Sequence, residues 1–307
     1  MPEGPEVRTL VDQLQPAVGM RLIDLEFLSG RYVRHGKPDT FVEFAQTMTR
    51  YHPSDSTTTH STTSEHVDII QKWSCKGKFL YMVLDDGSGN NHNHNNHNQK
   101  NDDFQRSIWM TLGMTGQFLT EAVHRKDPRH ARWCLHLLDT PNSKDDKNSS
   151  IKRIYYHDQR NFGTLRFSLS KTELDQKLAS LGPDLLDANF SQDDFLQAME
   201  DRSKPTTNIC QFLMDQSKVS GIGNYILSEG LYRARIDPFA SLQELNEVLR
   251  RRLCTELVAV ATESYQSQGL TRSRRDGGTH RNVDGQRETF NSNSSVMDET
   301  CVPTAIQ

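Results

Sequence analysis

Cysteine is sparse and scattered. The five in 307 residues, Cys75, Cys134, Cys210, Cys254 and Cys301, form no C-x-x-C pair, which excludes a disulfide framework and leaves no recognisable zinc ligand set, so the thiols are read as reduced. Long apolar runs are missing too. Nothing approaches the roughly 18 to 20 residues that span a bilayer, and the N-terminus lacks the basic-then-apolar layout of a signal peptide. A protein inside the cell is expected, without a membrane partner, in the nucleus of a eukaryote and otherwise in the cytoplasm. There is no excess of positive charge: 36 Lys and Arg face 40 Asp and Glu, a formal net charge of -4. Bulk charge therefore argues mildly against a nucleic-acid partner, although distribution matters more than the sum. Basic clusters do occur near the C-terminus, at Arg250 to Arg252 and at Arg272, Arg274 and Arg275.

What is present divides in two. Val7, Leu10, Val11 and Leu14 recur at i, i+3, i+4 and i+7, which predicts an N-terminal helix over 5–18. The period then falls to two at Ile23, Leu25 and Phe27, and β-rich runs follow at 67–73, 79–84, 107–112, 133–138 and 153–157. Many short strands without intervening helices predict an antiparallel sandwich. Polar tracts at 54–64, 90–98 and 141–150 interrupt it as loop expansions. The Asn/His run with His92, His94 and His97 has no fixed geometry and is not read as a metal site. From Lys171 the chain turns helical, with segments near 208–215, 225–234 and 242–265 after a linker near 180–189. The expected class is α+β in two domains: residues 1–170 as helix plus β-sandwich, 171–268 as an all-α domain, and 269–307 as a tail without clear periodicity.

Two segments carry chemistry. Met1-Pro2-Glu3-Gly4-Pro5-Glu6 puts Pro2 where removal of Met1 leaves it as the chain terminus. An α-amine has a pKa of about 7.7 to 8.0 against about 10.4 for lysine, so it is a nucleophile near neutral pH. Its attack on a sugar C1′ gives an iminium ion, the electron sink that lets the 2′ proton leave and the 3′ phosphate depart. Glu3 beside it can move protons. The same residues also suit the start of a helix and its positive end. The second segment, DQSKVSGIGNY at 215–225, holds Lys218, Gly221, Gly223 and Asn224. Glycines let a backbone approach a phosphate, and the free N–H groups of a following helix favour an anion. An ordinary helical hairpin would use the same glycines for its turn.

These segments together resemble the Fpg/Nei family of DNA glycosylases. MPEGPEV, SCKGKFLYM, LGMTG, HDQRNFG and DQSKVSGIGNYILSEGLYRARIDP are similar to that family in its order, over about residues 1 to 290. HDQRNFG and SGIGNY look closest to the branch of viral and animal Nei-like enzymes. The resemblance implies Pro2 as nucleophile, Glu3 as proton-transfer carboxylate and Lys78 as a lysine contacting the phosphate beside the lesion. It implies that the helical domain carries a helix-two-turns-helix element. It also implies that Met114, Arg160 and Phe162 fill the hole left by a base flipped from the stack, a task suited to a flexible thioether, a planar cation and an aromatic wedge. Without the family, Met114 and Phe162 would read as core, and Arg160 and Lys78 as solvated charges.

One departure concerns the C-terminal hairpin of the family. Only Cys301 follows Cys254, so no zinc finger can be built, and the tail is read as a degenerate or incomplete zincless finger. No cofactor is expected. The implied function is base-excision DNA repair by a bifunctional glycosylase and AP lyase, a hydrolase of N-glycosyl bonds acting as a monomer on damaged double-stranded DNA, with single-stranded or abasic DNA as further substrates. The alternative is a damaged-DNA-binding protein without turnover.

Overall fold

The structure is a computed structural model, and it describes residues 2–38, 40–48, 68–84, 103–139, 150–201 and 204–267. The tracts at 54–64 and 90–98, all of 141–150 but its last residue, and the finger expected in 269–307 lie outside the described residues.

Helix α1 spans Gly4–Leu14, shorter than the predicted 5–18 because Gln15–Ala17 tightens into a 3-10 turn around Pro16. Its buried Val7, Val11 and Leu14 are the face that the periodicity picked out. The strands are β1 (Arg21–Phe27), β2 (Ile70–Lys76), β3 (Phe79–Leu84), β4 (Phe104–Thr111), β5 (Gly116–Thr120), β6 (Ala131–Leu138), β7 (Ile151–Asp158) and β8 (Thr164–Ser170). They form two four-stranded sheets ordered β1-β6-β7-β5 and β2-β3-β4-β8, with neighbouring strands antiparallel, for example Cys75 opposite Leu80 and Trp133 opposite Tyr156.

The inner faces meet in one core. Leu22, Trp133, Leu135, Leu137, Phe118 and Tyr156 come from the first sheet, and Trp73, Leu80, Met82, Ile108, Leu165 and Phe167 from the second. Along β3 the odd and even residues are all buried. Leu80 and Met82 enter the sandwich core, whereas Phe79, Tyr81 and Val83 lie on the other face with Trp109 and Leu174. Leu174 belongs to α5 (Lys171–Ala179), so the unbroken apolar run FLYMVL marks a strand covered on both sides.

Short helices α2 (Arg31–Arg34), α3 (Phe41–Thr47) and α4 (Glu121–His124) decorate the sandwich. The helical part continues with α6 (Gln192–Asp201), α7 (Ile209–Met214), α8 (Asn224–Ala234) and α9 (Glu247–Gln266) around their own core of Phe195, Phe212, Ile226, Leu253 and Leu257. No helix among the described residues is long and apolar enough to cross a membrane.

The crossover at 180–189 is packed against both halves. The Gly182 N–H donates to Gln216 O at 2.9 Å, and Pro183 O accepts from Ser220 N–H at 2.9 Å. Asp184, 5% exposed, accepts the Gly77 N–H at 2.8 Å and faces the Arg8 guanidinium at 3.4 Å. At this seam the β2–β3 turn meets the loop before α8 backbone to backbone. Gly77 has φ +56°, and a Cβ there would stand 2.4 Å from the Gly221 nitrogen. Gly77→Ala therefore combines a left-handed backbone with a collision against another backbone. It should destabilise the protein by roughly 2 to 4 kcal/mol. The check is denaturant unfolding, together with faster limited proteolysis between the two halves.

Candidate active site

Pro2 follows Met1 and is buried at the seam of the two halves. It lines a cavity of about 520 Å³ together with Lys78, Thr111, Gly113, Arg166 and Gln216. Strand β2 and the Gly77 turn bring Lys78 there. Burial pulls the Lys78 ammonium below the ordinary lysine range, while the carboxylates of Glu3 and Glu6 oppose the shift. Lys76, on the same strand, instead donates to Leu178 O at 2.9 Å and Leu181 O at 3.0 Å, at the end of α5.

Glu3 is 5% exposed and crosses the seam. Its Oε1 accepts the Tyr225 N–H at 2.8 Å, and its Oε2 accepts the N–H groups of Gly223 at 2.9 Å and Ile226 at 3.1 Å. The N-terminus of α8 is thus an anion site, as its sequence implies, but its occupant is a carboxylate of the same chain. This corrects the reading of Gly221 and Gly223 as phosphate-gripping residues. The Gly223 N–H is taken by Glu3 and the Gly221 N–H by Gln216 Oε1 at 3.0 Å. Their role is close approach: Gly221 lies against Gly4 and Gly77, and Gly223 leaves room for the Glu3 carboxyl. Asn224 remains exposed at the first turn of α8. Lys218 is half-buried in the turn before it, near enough to Asp215 to help hold that carboxyl below its usual range, mainly the work of the Ser217 hydroxyl.

Of the three side chains read as a wedge, Arg160 and Met114 meet, and Phe162 lies two residues beyond Arg160 on the same loop. Met114 and Phe162 are 40% and 56% exposed on separate loops, which excludes the core reading for both. The Arg160 guanidinium lies 3.1 Å from the Met114 sulfur, and the Arg160 N–H donates to Thr115 Oγ1 at 3.1 Å. Sequence reasoning missed what joins these loops. Asp158, buried, accepts from the Thr115 hydroxyl through Oδ1 and from the Gly163 N–H through Oδ2 at 2.7 Å. Its signal was its place inside HDQRNFG.

The basic cluster Arg250 to Arg252 belongs in part to structure rather than to a free surface. Arg250 donates to Leu245 O at 2.8 Å and Leu242 O at 3.0 Å, and Arg251 pairs with Glu247 and Asp193. Among the described residues, no group of three or more His, Cys, Asp or Glu gathers to hold a metal ion. Cys75, Cys134, Cys210 and Cys254 are free thiols, and burial pushes Cys75 up to about 12.

Residues 1–165 match the model of the formamidopyrimidine-DNA glycosylase N-terminal domain, and residues 181–275 match the H2TH domain of the same glycosylases. The chain belongs to the formamidopyrimidine-DNA glycosylase family. It is 29% identical over 237 residues to the formamidopyrimidine-DNA glycosylase of Prochlorococcus marinus strain MIT 9301, covering 76% of this chain and 73% of that one. It is 26% identical over 269 residues to that of Solibacter usitatus, covering 88% and 79%. The fold is shared with the Lactococcus lactis Fpg in complex with DNA containing an oxidised pyrimidine, at a TM-score of 0.61 and 22% identity over 86% of this chain and 80% of that chain. It is shared too with the Lactococcus lactis Fpg bound to abasic-site DNA, at 0.61 and 20% over 87% and 83%. These relatives carry the formamidopyrimidine name, so the likeness to the Nei-like branch rests on HDQRNFG and SGIGNY alone.

A Cβ on Gly223 would lie 2.4 Å from the Glu3 carboxyl carbon, while the Gly223 backbone is extended and accepts alanine. Gly223→Ala should therefore expel the carboxylate from α8 with the fold intact. Amide exchange at Tyr225 and Ile226 should accelerate by roughly tenfold or more, the loss expected when a charge-assisted bond is removed. Unchanged protection at both amides would contradict this account of the contact.

Proposed function

We propose that the protein excises oxidised bases from damaged DNA and then cuts the strand at the abasic site, as a bifunctional DNA glycosylase and AP lyase acting through a Schiff base on Pro2. The observation that carries this reading is the meeting of Pro2 and Lys78 in one cavity, with Glu3 fixed in the adjoining position by α8. The Lactococcus lactis structures hold DNA with an oxidised pyrimidine or an abasic site, which supports the same substrate class here.

With Met1 removed, the Pro2 nitrogen is a secondary amine. It attacks C1′ of the damaged nucleotide, the bond from C1′ to the base breaks, and the departing base takes a proton. The sugar ring opens to an iminium ion, a proton leaves C2′, and the 3′ phosphate departs with the electron pair. Hydrolysis of the iminium then returns the amine. Glu3 is the carboxylate one residue away and handles the sugar protons. Lys78 supplies a cation for the phosphate beside the lesion: burial costs its ammonium more than the carboxylates of Glu3 and Glu6 return, and a phosphate oxygen offsets that cost. Asn224 adds a donor at the exposed start of α8. Met114, Arg160 and Phe162 fill the stack once the base has left it. The protein acts as a monomer on duplex DNA.

Pro2→Gly should suppress turnover and borohydride trapping on abasic DNA by more than about 100-fold, a loss far larger than the removal of one buried ring from the seam would cause, with circular dichroism checking that the variant is folded. Full trapping in that variant would overturn the nucleophile assignment. Glu3→Gln should lose base excision yet retain some cleavage of preformed abasic sites, and equal loss on both substrates would make the carboxylate purely structural.

Lys78 adds a pH dependence. Its proton leaves the free protein at lower pH than from an ordinary lysine, and a bound phosphate pulls that proton back. Binding therefore takes up a proton in that window, and duplex affinity should fall as pH rises through it, before the ordinary lysine value of about 10.4 is reached. Fluorescence anisotropy against pH checks this. Lys78→Met should remove the alkaline arm, and an arm that persists in the variant assigns it to another group.

A further inference from the structure

The loop between β7 and β8 has no regular secondary structure, yet it holds an exposed Phe162 and the exposed Arg160 in defined positions. At its centre Asn161 has φ +56°, a left-handed turn that asparagine tolerates, closed within the loop by the Asn161 N–H donating to Asp158 O at 3.3 Å. Further bonds come from outside the loop. Arg31, at the start of α2, donates from Nη2 to Asn161 O. Arg132, on β6, donates from Nε to Asp158 O at 2.7 Å and from Nη2 to Gln159 O at 3.3 Å, and its remaining nitrogen donates to Ser29 Oγ at 3.0 Å. The carbonyls of Asp158, Gln159 and Asn161 are each met by a guanidinium. From the other side, the Asp158 carboxylate ties the same loop to the Met114 turn through Thr115 and Gly163.

Arg132 thus spends its fork on two carbonyls and the Ser29 hydroxyl, and Arg31 reaches a third carbonyl. A lysine in place of Arg132 would not serve, because only the planar fork reaches all three acceptors at once, and the shorter-reaching point charge of a lysine in place of Arg31 loses the planar approach to Asn161 O. This bracing also explains the meeting of Arg160 with Met114: a side chain 3.1 Å from a partner on another loop needs both loop backbones fixed.

We propose that Arg31 and Arg132 are positioning residues for base extrusion, clamping the backbone at 158–161 so that Arg160 and Phe162 enter the stack together with Met114. This rests on the reading of those three side chains as the wedge, and it is independent of the chemistry at Pro2.

The test uses Arg31→Lys and Arg132→Lys, which keep the charge and lose the fork. Extrusion is followed by stopped-flow fluorescence of 2-aminopurine placed opposite a thymine glycol in duplex DNA, a readout that needs no bond to break. Each variant should slow the fluorescence change and single-turnover excision by roughly tenfold, the loss expected for hydrogen bonds made by a charged group. Cleavage of a preformed abasic site should fall much less, with duplex affinity and melting temperature held. Extrusion at the normal rate in both variants overturns the proposal. So does an equal loss on the base lesion and the abasic site with a lowered melting temperature, which would make the arginines structural. An unsubstituted protein that extrudes the base but forms no borohydride adduct would instead defeat the Pro2 reading and leave this one standing.

Discussion

The Glu3 carboxylate meets the N–H groups of Gly223, Tyr225 and Ile226 across 220 to 223 residues of chain. The first N–H groups of a helix have no partner within it, and burying them unpaired is costly. Glu3 satisfies three of them where α8 enters the seam, with bonds that each contribute on the order of 1.5 to 3 kcal/mol because the acceptor is a carboxylate. The consequence is felt one residue earlier. Chain termini ordinarily fray, and a terminal amine on a fraying end would be a poor nucleophile. Here the residue next to Pro2 is pinned to the far half of the molecule, and Gly4 N–H adds a bond to Gly221 O at 2.8 Å. On the proposed function, a structural contact between the halves doubles as the device that keeps the Pro2 nitrogen in the cavity.

That contact depends on how close three backbones come. A Cβ on Gly4 would lie 3.1 Å from the Gly221 Cα, and one on Gly221 3.2 Å from the Gly77 Cα. The glycines of α1, the β2–β3 turn and the loop before α8 form one seam, with Asp184 gripping Gly77 from the crossover. Lys78 follows Gly77 directly, so the closeness of the seam also sets where that ammonium sits. On the proposed function, amine, carboxylate and ammonium owe their spacing to backbone packing rather than to bonds among themselves.

How far the sequence revealed this varied with the kind of interaction. The face of α1 was legible because burial on one side leaves a periodicity, and β3 because burial on both sides leaves an unbroken apolar run. Strand β8 was not, although Thr164–Ser170 alternates cleanly, because its apolar residues follow a loop motif that drew attention to itself. Strand β5 is five residues long and begins at a glycine, too short for its period to register. Pro2 and Glu3 stood out as candidates through their chemistry, and Met114, Arg160 and Phe162 through the resemblance to family motifs. The partner of Glu3 was hidden because it is backbone, and backbone carries no residue signature. For the same reason the glycines of SGIGNY read as a phosphate grip, and Arg31 and Arg132, which address carbonyls, gave no signal.

The charge balance resolves along the same lines. A chain with net charge -4 can still present a cationic face to a polyanion if its acids neutralise arginines elsewhere. Glu229 and Glu263 both take Arg233, and Asp193 and Glu247 both take Arg251, all on the helical half. Lys78 and Lys177 instead line the cavity with Pro2, as does Arg166, which also pairs with Glu173. Arg166 is held over the Trp109 ring at 4.9 Å and Lys177 over Phe79 at 5.4 Å, so the aromatic face that packs against α5 also orients cations at the rim. At Lys78, by contrast, burial disfavours the charge and the carboxylates of Glu3 and Glu6 only partly oppose it. On the proposed function that ammonium gains from a phosphate oxygen, and the cavity favours an anionic backbone beside Pro2 whatever the sign of the chain as a whole.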